Sequence, residues 1–268
     1  MGRTVLVPQR PLRIISLVPS QTELLFDLGL EAEIVGRTKF CIHPADKVAG
    51  KPSVGGTKQF RFDQIDRLQP DLIIGNKEEN YQEGITELAA RYPVWMSDIR
   101  TLADALDMIR RVGQLAGKAE RAEQLASQIE AKFAQLPQLS RPYRVGYFIW
   151  QKPLMVAGGQ TFIHDMLTRC GLVNAFAAVG DGRYPELTPA QIHAANLDAI
   201  LLSSEPFPFA EKHRQAFQAQ FAGTARGRFG FAVHLVDGEM FSWYGSRLLL
   251  AADYLQEFSN SLTSEVIL

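Results

Sequence analysis

Residues 101–136 read TLADALDMIRRVGQLAGKAERAEQLASQIEAKFAQL. The stretch holds no proline, and its apolar residues recur at Leu102, Leu106, Ile109, Ala116, Ala122, Ala126, Ile129, Phe133 and Leu136. Steps of three, four or multiples that keep one face are the period of a helix, not of a strand. Thr101, with Asp104 three residues on, offers an N-cap with a weak capping box. Pro137 and Pro142 close the far end. Gly113 and Gly117 lie inside, each costing about 1 kcal/mol against alanine in a helix interior. The expectation is a break near Gly117 and a second helix from Ala119 to Leu136, roughly 27 Å long at about 1.5 Å per residue. With strand-rich sequence on both sides, such a helix is either a stiff rod joining two lobes or one of an ordinary pair packed on one sheet. The pattern alone leaves both open.

Upstream, Arg13–Val18 (RIISLV), Glu33–Gly36, Asp71–Gly75 (DLIIG) and Val94–Ser97 read as short buried strands. Between them fall helices at Glu23–Leu28, capped by Ser20 or Thr22 and closed by Gly29, at Phe62–Leu68 and at Tyr81–Arg91. Downstream, strands Arg144–Trp150 (RVGYFIW), Met155–Ala157, Asp198–Ser203 and Ala232–Val236 alternate with helices at Thr161–Arg169, Thr188–Ala195, Ala210–Phe221 and Tyr244–Phe258. Cys41–Gly56 and Gly180–Pro185 read as loops. Alternation of strand and helix predicts an α/β chain with mainly parallel sheets. The expected division is an N-terminal α/β lobe over 1–100, a helical linker over 101–142 and a C-terminal α/β lobe over 143–268. An internal echo supports two lobes. Gln64-Ile65 precedes Asp71 by the spacing that separates Gln191-Ile192 from Asp198, and Leu28-Gly29-Leu30 is matched by Cys170-Gly171-Leu172. Two such lobes would enclose a crevice at the C-terminal ends of their strands.

Composition removes several classes of function. The chain has 268 residues, 46% hydrophobic and 21% charged, which suits one large or two medium globular domains. A net charge of −1 offers no basic surplus to neutralise phosphates, so nucleic acid is not an expected partner. No apolar run reaches membrane-spanning length. The first residues, MGRTVLVPQRP, lack a signal-peptide core and cleavage site, and Leu6 breaks the myristoylation pattern. As written, the expected compartment is the cytoplasm, with the periplasm or cell surface if the sequence has been trimmed. Cys41 and Cys170, one per half, are expected as free thiols.

No nucleophile elbow, P-loop or dinucleotide fingerprint is present. Of the histidines at 43, 164, 193, 213 and 234, only His43 has a second soft ligand nearby, Cys41. The pair makes a weak metal candidate. Aromatics at loop-like positions are more informative: Phe40, Trp150, Tyr184, Phe207, Phe209, Phe241, Trp243 and Tyr244. Several on one topological edge would line a site for a large flat ligand. In Ser242–Arg247 (SWYGSR), a helix start with Ser246 and Arg247 suits an anionic or carbonyl-rich group. The competing reading pairs Arg247 with a core carboxylate. Glu78-Glu79 and Glu205 follow corresponding strands in the two halves, either as solvated loop charges or as docking points for a basic partner.

These residues resemble a known family. Ser16–Leu25 (SLVPSQTELL), Leu28-Gly29, Val35-Gly36, Pro70–Ile74 (PDLII), the central helix, Gly158–Ile163 (GGQTFI), Cys170–Asn174 (CGLVN), Tyr184-Pro185 and Ser246-Arg247 are similar to the helical-backbone metal receptor superfamily. Its members are the binding proteins of ABC importers for cobalamin, haem and iron chelates. The resemblance implies two Rossmann-like lobes joined by one rigid helix, the class III periplasmic-binding-protein arrangement, with a corrinoid, tetrapyrrole or ferric siderophore held between them as ligand rather than catalytic cofactor. It implies ligand contacts from Pro19, Ser20, Gln21 and Phe40 in the first lobe, and from Trp150, Tyr184, Trp243, Tyr244 and Arg247 in the second. A docking glutamate of the first lobe would fall at Gln82 or Glu83, beside the acidic candidates Glu79 and Glu205. The implied protein is a non-enzymatic, monomeric binder whose partner is an ABC permease. The alternatives are a cytoplasmic sensor or carrier, and a chelatase-like enzyme using Cys41 and His43.

Overall fold

A computed structural model describes residues 6–137, 139, 141–180, 182–221 and 232–265. Residues 1–5 of the N-terminal stretch and Asp181 of the 180–185 loop lie outside the described residues. The chain divides into two compact units. One comprises Met1–Ile99, Ala103–Glu130 and Trp243–Leu248; the other comprises Arg100–Leu102, Ala131–Ser242 and Leu249–Leu268. The 101–142 segment is thus shared between the two, with the division inside a helix after Glu130.

The first unit contains β1 (Ile14–Ser16), α1 (Pro19–Asp27), β2 (Ile34–Arg37), α2 (Ala45–Val48), β3 (Gly55–Gly56), β4 (Gln59–Phe60), α3 (Phe62–Leu68), β5 (Leu72–Asn76), α4 (Gln82–Ala89) and β6 (Val94–Ser97). Its four-stranded sheet runs β2-β1-β5-β6, every pairing parallel. Residues of β1 and β5 are buried throughout, as expected of strands covered on both faces. The strand order reverses between β1 and β5, so their C-terminal ends form a topological switch point, where open α/β sheets place ligands. The helix expected from Glu23 begins instead at Pro19, whose fixed φ and missing N–H fit the first helical position. Ser20 and Thr22 therefore lie inside α1 and do not cap it. The expected 41–56 loop contains α2 and half of the β3–β4 hairpin.

The helical reading of 101–136 holds, with the break where Gly117 adopts φ +69. α5 (Leu102–Leu115) and α6 (Ala119–Phe133) flank it. A Cβ at Gly113 would collide with the Ala122 methyl, and Arg110 pairs with Glu123 at 2.8 Å, so the two form a tightly packed helix pair. α6 ends three residues short of the expected Leu136, giving 15 residues and a length of about 22 Å.

The second unit contains β7 (Tyr143–Trp150), β8 (Leu154–Val156), α7 (Phe162–Arg169), β9 (Leu172–Asn174), β10 (Glu186–Leu187), α8 (Pro189–Ala194), β11 (Ala199–Ser203), α9 (Glu211–Phe221), β12 (Ala232–Val236), α10 (Glu239–Ser242) and α11 (Leu248–Glu265). β7 pairs in parallel with β11 on one edge. Its other edge is shared by parallel β9 at Tyr143–Val145 and antiparallel β8 toward Trp150. Among the described residues the sheet is mixed, with β12 and β10 at its ends. The last helix starts at Leu248, not Tyr244, because the turn around Gly245 intervenes.

The internal echo has a physical basis. Asp71 accepts from the N–H groups of Leu12 and Arg13 at 2.8 and 2.9 Å, at the mouth of β1. Asp198 accepts from Arg144 N at 2.7 Å, at the mouth of β7. Each aspartate opens a strand and ties down its parallel neighbour. Gly29 and Gly171 both take left-handed φ, +77 and +74, just beyond α1 and α7, where an L side chain would be strained.

Candidate functional site

Buried strands of both units end in small polar residues: Ser16, Asn76, Ser97 and Ser203. In the first unit these knit the C-terminal edge of the sheet. The Gln21 amide donates to Ser97 Oγ at 2.8 Å, Asn76 Nδ2 donates to the same oxygen at 3.0 Å, and Asn80 Oδ1 accepts from Asn76 N at 2.9 Å. Gln21 Oε1 is buried without a partner.

Against this edge lies the Trp243–Leu248 segment. Arg247 makes a bidentate pair with Glu23, Nε to Oε2 at 2.9 Å and Nη2 to Oε1 at 2.7 Å, with side chains only 8% and 12% exposed. The Arg247 guanidinium also stands 4.9 Å from the Trp243 ring centroid, and His43 meets that ring edge-on at 5.4 Å. Tyr244 donates its phenol proton to Glu79 Oε1 at 2.6 Å. A Cβ at Gly245 would collide with the Ser20 carbonyl, so glycine permits the close approach. Burial raises the Glu23 carboxyl above its ordinary value, and the Arg247 hydrogen bonds and charge oppose that shift without cancelling it. Next to this cluster, the Cys41 thiol contacts the Thr22 and Thr38 hydroxyls at 3.0 and 3.2 Å, and burial pushes its pKa up.

Phe40, next to Cys41 in the chain, has 49% of its surface exposed. One ring edge rests on the hairpin: a Cβ at Gly56 would stand 3.3 Å from Phe40 Cε2. Ile42 is exposed to the same degree.

In the second unit, Trp150 closes β7 with 39% of its surface exposed. Its indole N–H donates to Lys152 O at 3.0 Å, and Phe207 meets it edge-on at 5.6 Å. Tyr184 is half-buried between Arg183 and Pro185, whose carbonyls accept from Gly158 N at 2.7 Å and Val156 N at 3.2 Å. Glu205 Oε1 accepts from Ser242 Oγ at 2.6 Å.

Residues 14–226 match the family model described as periplasmic binding protein. The chain belongs to the periplasmic binding protein family. A vitamin B12-binding protein of Pectobacterium carotovorum is 25% identical over 260 residues, covering 95% of this chain and 89% of that one. Two solved structures share the fold. The periplasmic heme-binding protein RhuT from Roseiflexus sp. RS-1, in apo form, gives a TM-score of 0.79 at 24% identity, over 94% of this chain and 98% of its own. The periplasmic vitamin B12-binding protein BtuF of Vibrio cholerae gives 0.75 at 21%, over 95% and 98%.

In this periplasmic binding protein the expected contact residues divide by exposure. Phe40 and Trp150 are exposed, and Pro19 and Tyr184 are half-buried. Ser20, Gln21, Trp243, Tyr244 and Arg247 are buried and engaged internally. Trp243, Tyr244 and Arg247 also cluster with the first unit rather than the second, where they were expected. The competing reading of Arg247, a pair with a core carboxylate, is the one observed. Of the docking candidates, Glu83 is exposed in the first turn of α4, whereas Glu79 and Glu205 are half-buried and hydrogen-bonded. Cys41 and His43 gain no third ligand: among the described residues no group of three His, Cys, Asp or Glu side chains is placed to hold a metal. No helix among them is long and apolar enough to cross a membrane. Sequence reasoning missed Glu23 and Ser97. A signal for Ser97 existed, a serine or asparagine closing successive apolar strands. None existed for Glu23, whose partner lies 224 positions away.

Proposed function

We propose that this chain is a non-enzymatic receptor for a corrinoid, tetrapyrrole or iron chelate, and that it delivers the ligand to an ABC importer. The observation that carries the reading is an exposed aromatic in each unit, Phe40 after β2 braced on its hairpin and Trp150 at the end of β7 braced by Lys152 O and Phe207. Exposed rings on rigid supports bind flat apolar ligands at low cost in side-chain ordering. The vitamin B12-binding relative and the haem- and B12-binding fold neighbours support the ligand class. Pro19 in the first unit and Tyr184 in the second are half-buried further candidates, and Glu83, exposed on α4, is the docking candidate toward a permease. The two solved neighbours are periplasmic, which supports action outside the cytoplasm.

The test is titration with hydroxocobalamin, a ferric porphyrin and a ferric hydroxamate, read by absorbance and calorimetry. Binding of one of them tighter than about 50 µM, or about −6 kcal/mol, is expected. Failure of all three removes the reading.

A further inference from the structure

Lys39, the cation beside Phe40, forms no ion pair among the described residues, and this bears on which ligand the receptor takes. Lys39 is exposed, and its ammonium stands 5.0 Å from the Phe40 ring centroid. Its backbone N–H is fixed to Gly55 O at 2.8 Å, so the Lys39-Phe40 pair is anchored to the β3–β4 hairpin. The hairpin's glycines leave room there, since a Cβ at Gly56 would also stand 3.6 Å from Lys39 Cε. Two residues upstream, Arg37 donates to Thr38 O at 3.2 Å, and its Nε is buried without a partner. Neither Arg37 nor Lys39 forms an ion pair among the described residues, although many of the chain's other basic side chains do. A cation held over an exposed ring, with no carboxylate partner among the described residues, is suited to a ligand that supplies both a π-face and an anion.

We infer that Lys39 and Phe40 form a subsite for a flat conjugated macrocycle bearing carboxylates at its rim: Phe40 takes the ring and Lys39 takes the carboxylate. The inference rests on the receptor reading above and narrows it, because the peripheral groups of a corrinoid are largely neutral amides and a hydroxamate chelate has no extended π-face.

The probes are ferric mesoporphyrin, which carries two carboxylates, its neutral diamide, and hydroxocobalamin. The proteins are the wild type, Lys39→Met and Phe40→Leu, with circular dichroism as the folding control. The wild type is expected to bind the diacid at least about 10-fold more tightly than the diamide, the scale of one charge-assisted contact. Lys39→Met should erase that preference by weakening the diacid alone, and Phe40→Leu should weaken both porphyrins alike. Equal wild-type affinity for diacid and diamide overturns the inference, as does a Lys39→Met effect shared by both. Binding of hydroxocobalamin with no porphyrin binding also overturns it, while leaving the receptor reading intact. Failure of every probe, with the folding control passed, removes the receptor reading and this inference with it.

Discussion

Replacing Arg247 by methionine tests how the Trp243–Leu248 segment is held. The substitution keeps most of the apolar stem and removes the guanidinium. Glu23 then stays in a site where its side chain is 12% exposed, with its bidentate partner gone. Two charges about 4 Å apart attract by about 4 kcal/mol at an effective dielectric of about 20. Breaking a buried pair by deleting one member costs about 3–5 kcal/mol, because the other charge stays buried. Loss of the cation beside Trp243 adds about 0.5–1 kcal/mol. The expected cost of Arg247→Met near neutral pH is therefore about 4 kcal/mol, measured by urea unfolding followed by circular dichroism. The double variant Glu23→Leu/Arg247→Met should recover most of it, since an apolar pair of similar volume replaces a buried ion pair at little net cost.

The pH dependence has a definite sign. Burial raises the Glu23 carboxyl above its ordinary 4.5 in the folded chain, so the folded state holds this proton more tightly than the unfolded state does. The stability from that difference is fully present below about 4.5 and is lost as pH rises through the raised folded value. Removing Arg247 takes away the groups that oppose the shift, so the folded value climbs further. The Arg247→Met penalty should consequently shrink as the pH is lowered and Glu23 becomes neutral. A penalty under about 1 kcal/mol at neutral pH, or one that does not fall on acidification, would refute the claim that this pair is desolvated.

Gly113→Ala should cost about 1–3 kcal/mol in a urea melt, because the new methyl meets Ala122 across the helix pair; an unchanged midpoint would mean the pair is loose. Cys170, its thiol pushed up to about 12, and Cys41, also raised by burial, should resist a thiol-reactive disulfide reagent at pH 8 in the native protein. Both should react once the chain is unfolded in guanidinium. Trp150→Leu should weaken ligand binding about 10-fold, the loss of a stacked aromatic contact, while moving the unfolding midpoint by little because the ring is substantially exposed. A large stability loss with unchanged affinity would instead assign Trp150 to the core.

Fold class was legible because it rests on local signals. Apolar runs such as Ile14-Ile15 and Leu72–Ile74, punctuated by glycine and proline, produced the buried strands where they were expected. The spacing of Asp71 and Asp198 anticipated a shared task, tethering the mouth of a neighbouring strand. What escaped was short or decided by distant contacts. The β3–β4 hairpin and β10 are two residues per strand, below the length at which period-2 alternation can be seen. The start of the last helix slipped from Tyr244 to Leu248 because Gly245 must pass the Ser20 carbonyl, a contact between residues more than 200 positions apart.

The candidate site was harder to read for a different reason. Residue type announces chemistry but not whether that chemistry is already spent inside the protein. Arg247, Gln21 and Tyr244 have the groups a ligand needs, yet each meets a protein partner: Glu23, Ser97 and Glu79. A polar group at the C-terminal edge of a parallel sheet must be satisfied whether or not a ligand ever arrives, so most such groups bind one another. Phe40, Ile42 and Trp150 stand on the opposite side of that logic. Leaving about half of such a side chain in water forgoes about 1 kcal/mol relative to full burial. The exposed apolar residues, rather than the conspicuous polar ones, therefore carry the functional reading, and Lys39 beside Phe40, without an ion pair among the described residues, carries the proposal of an acid-bearing ligand.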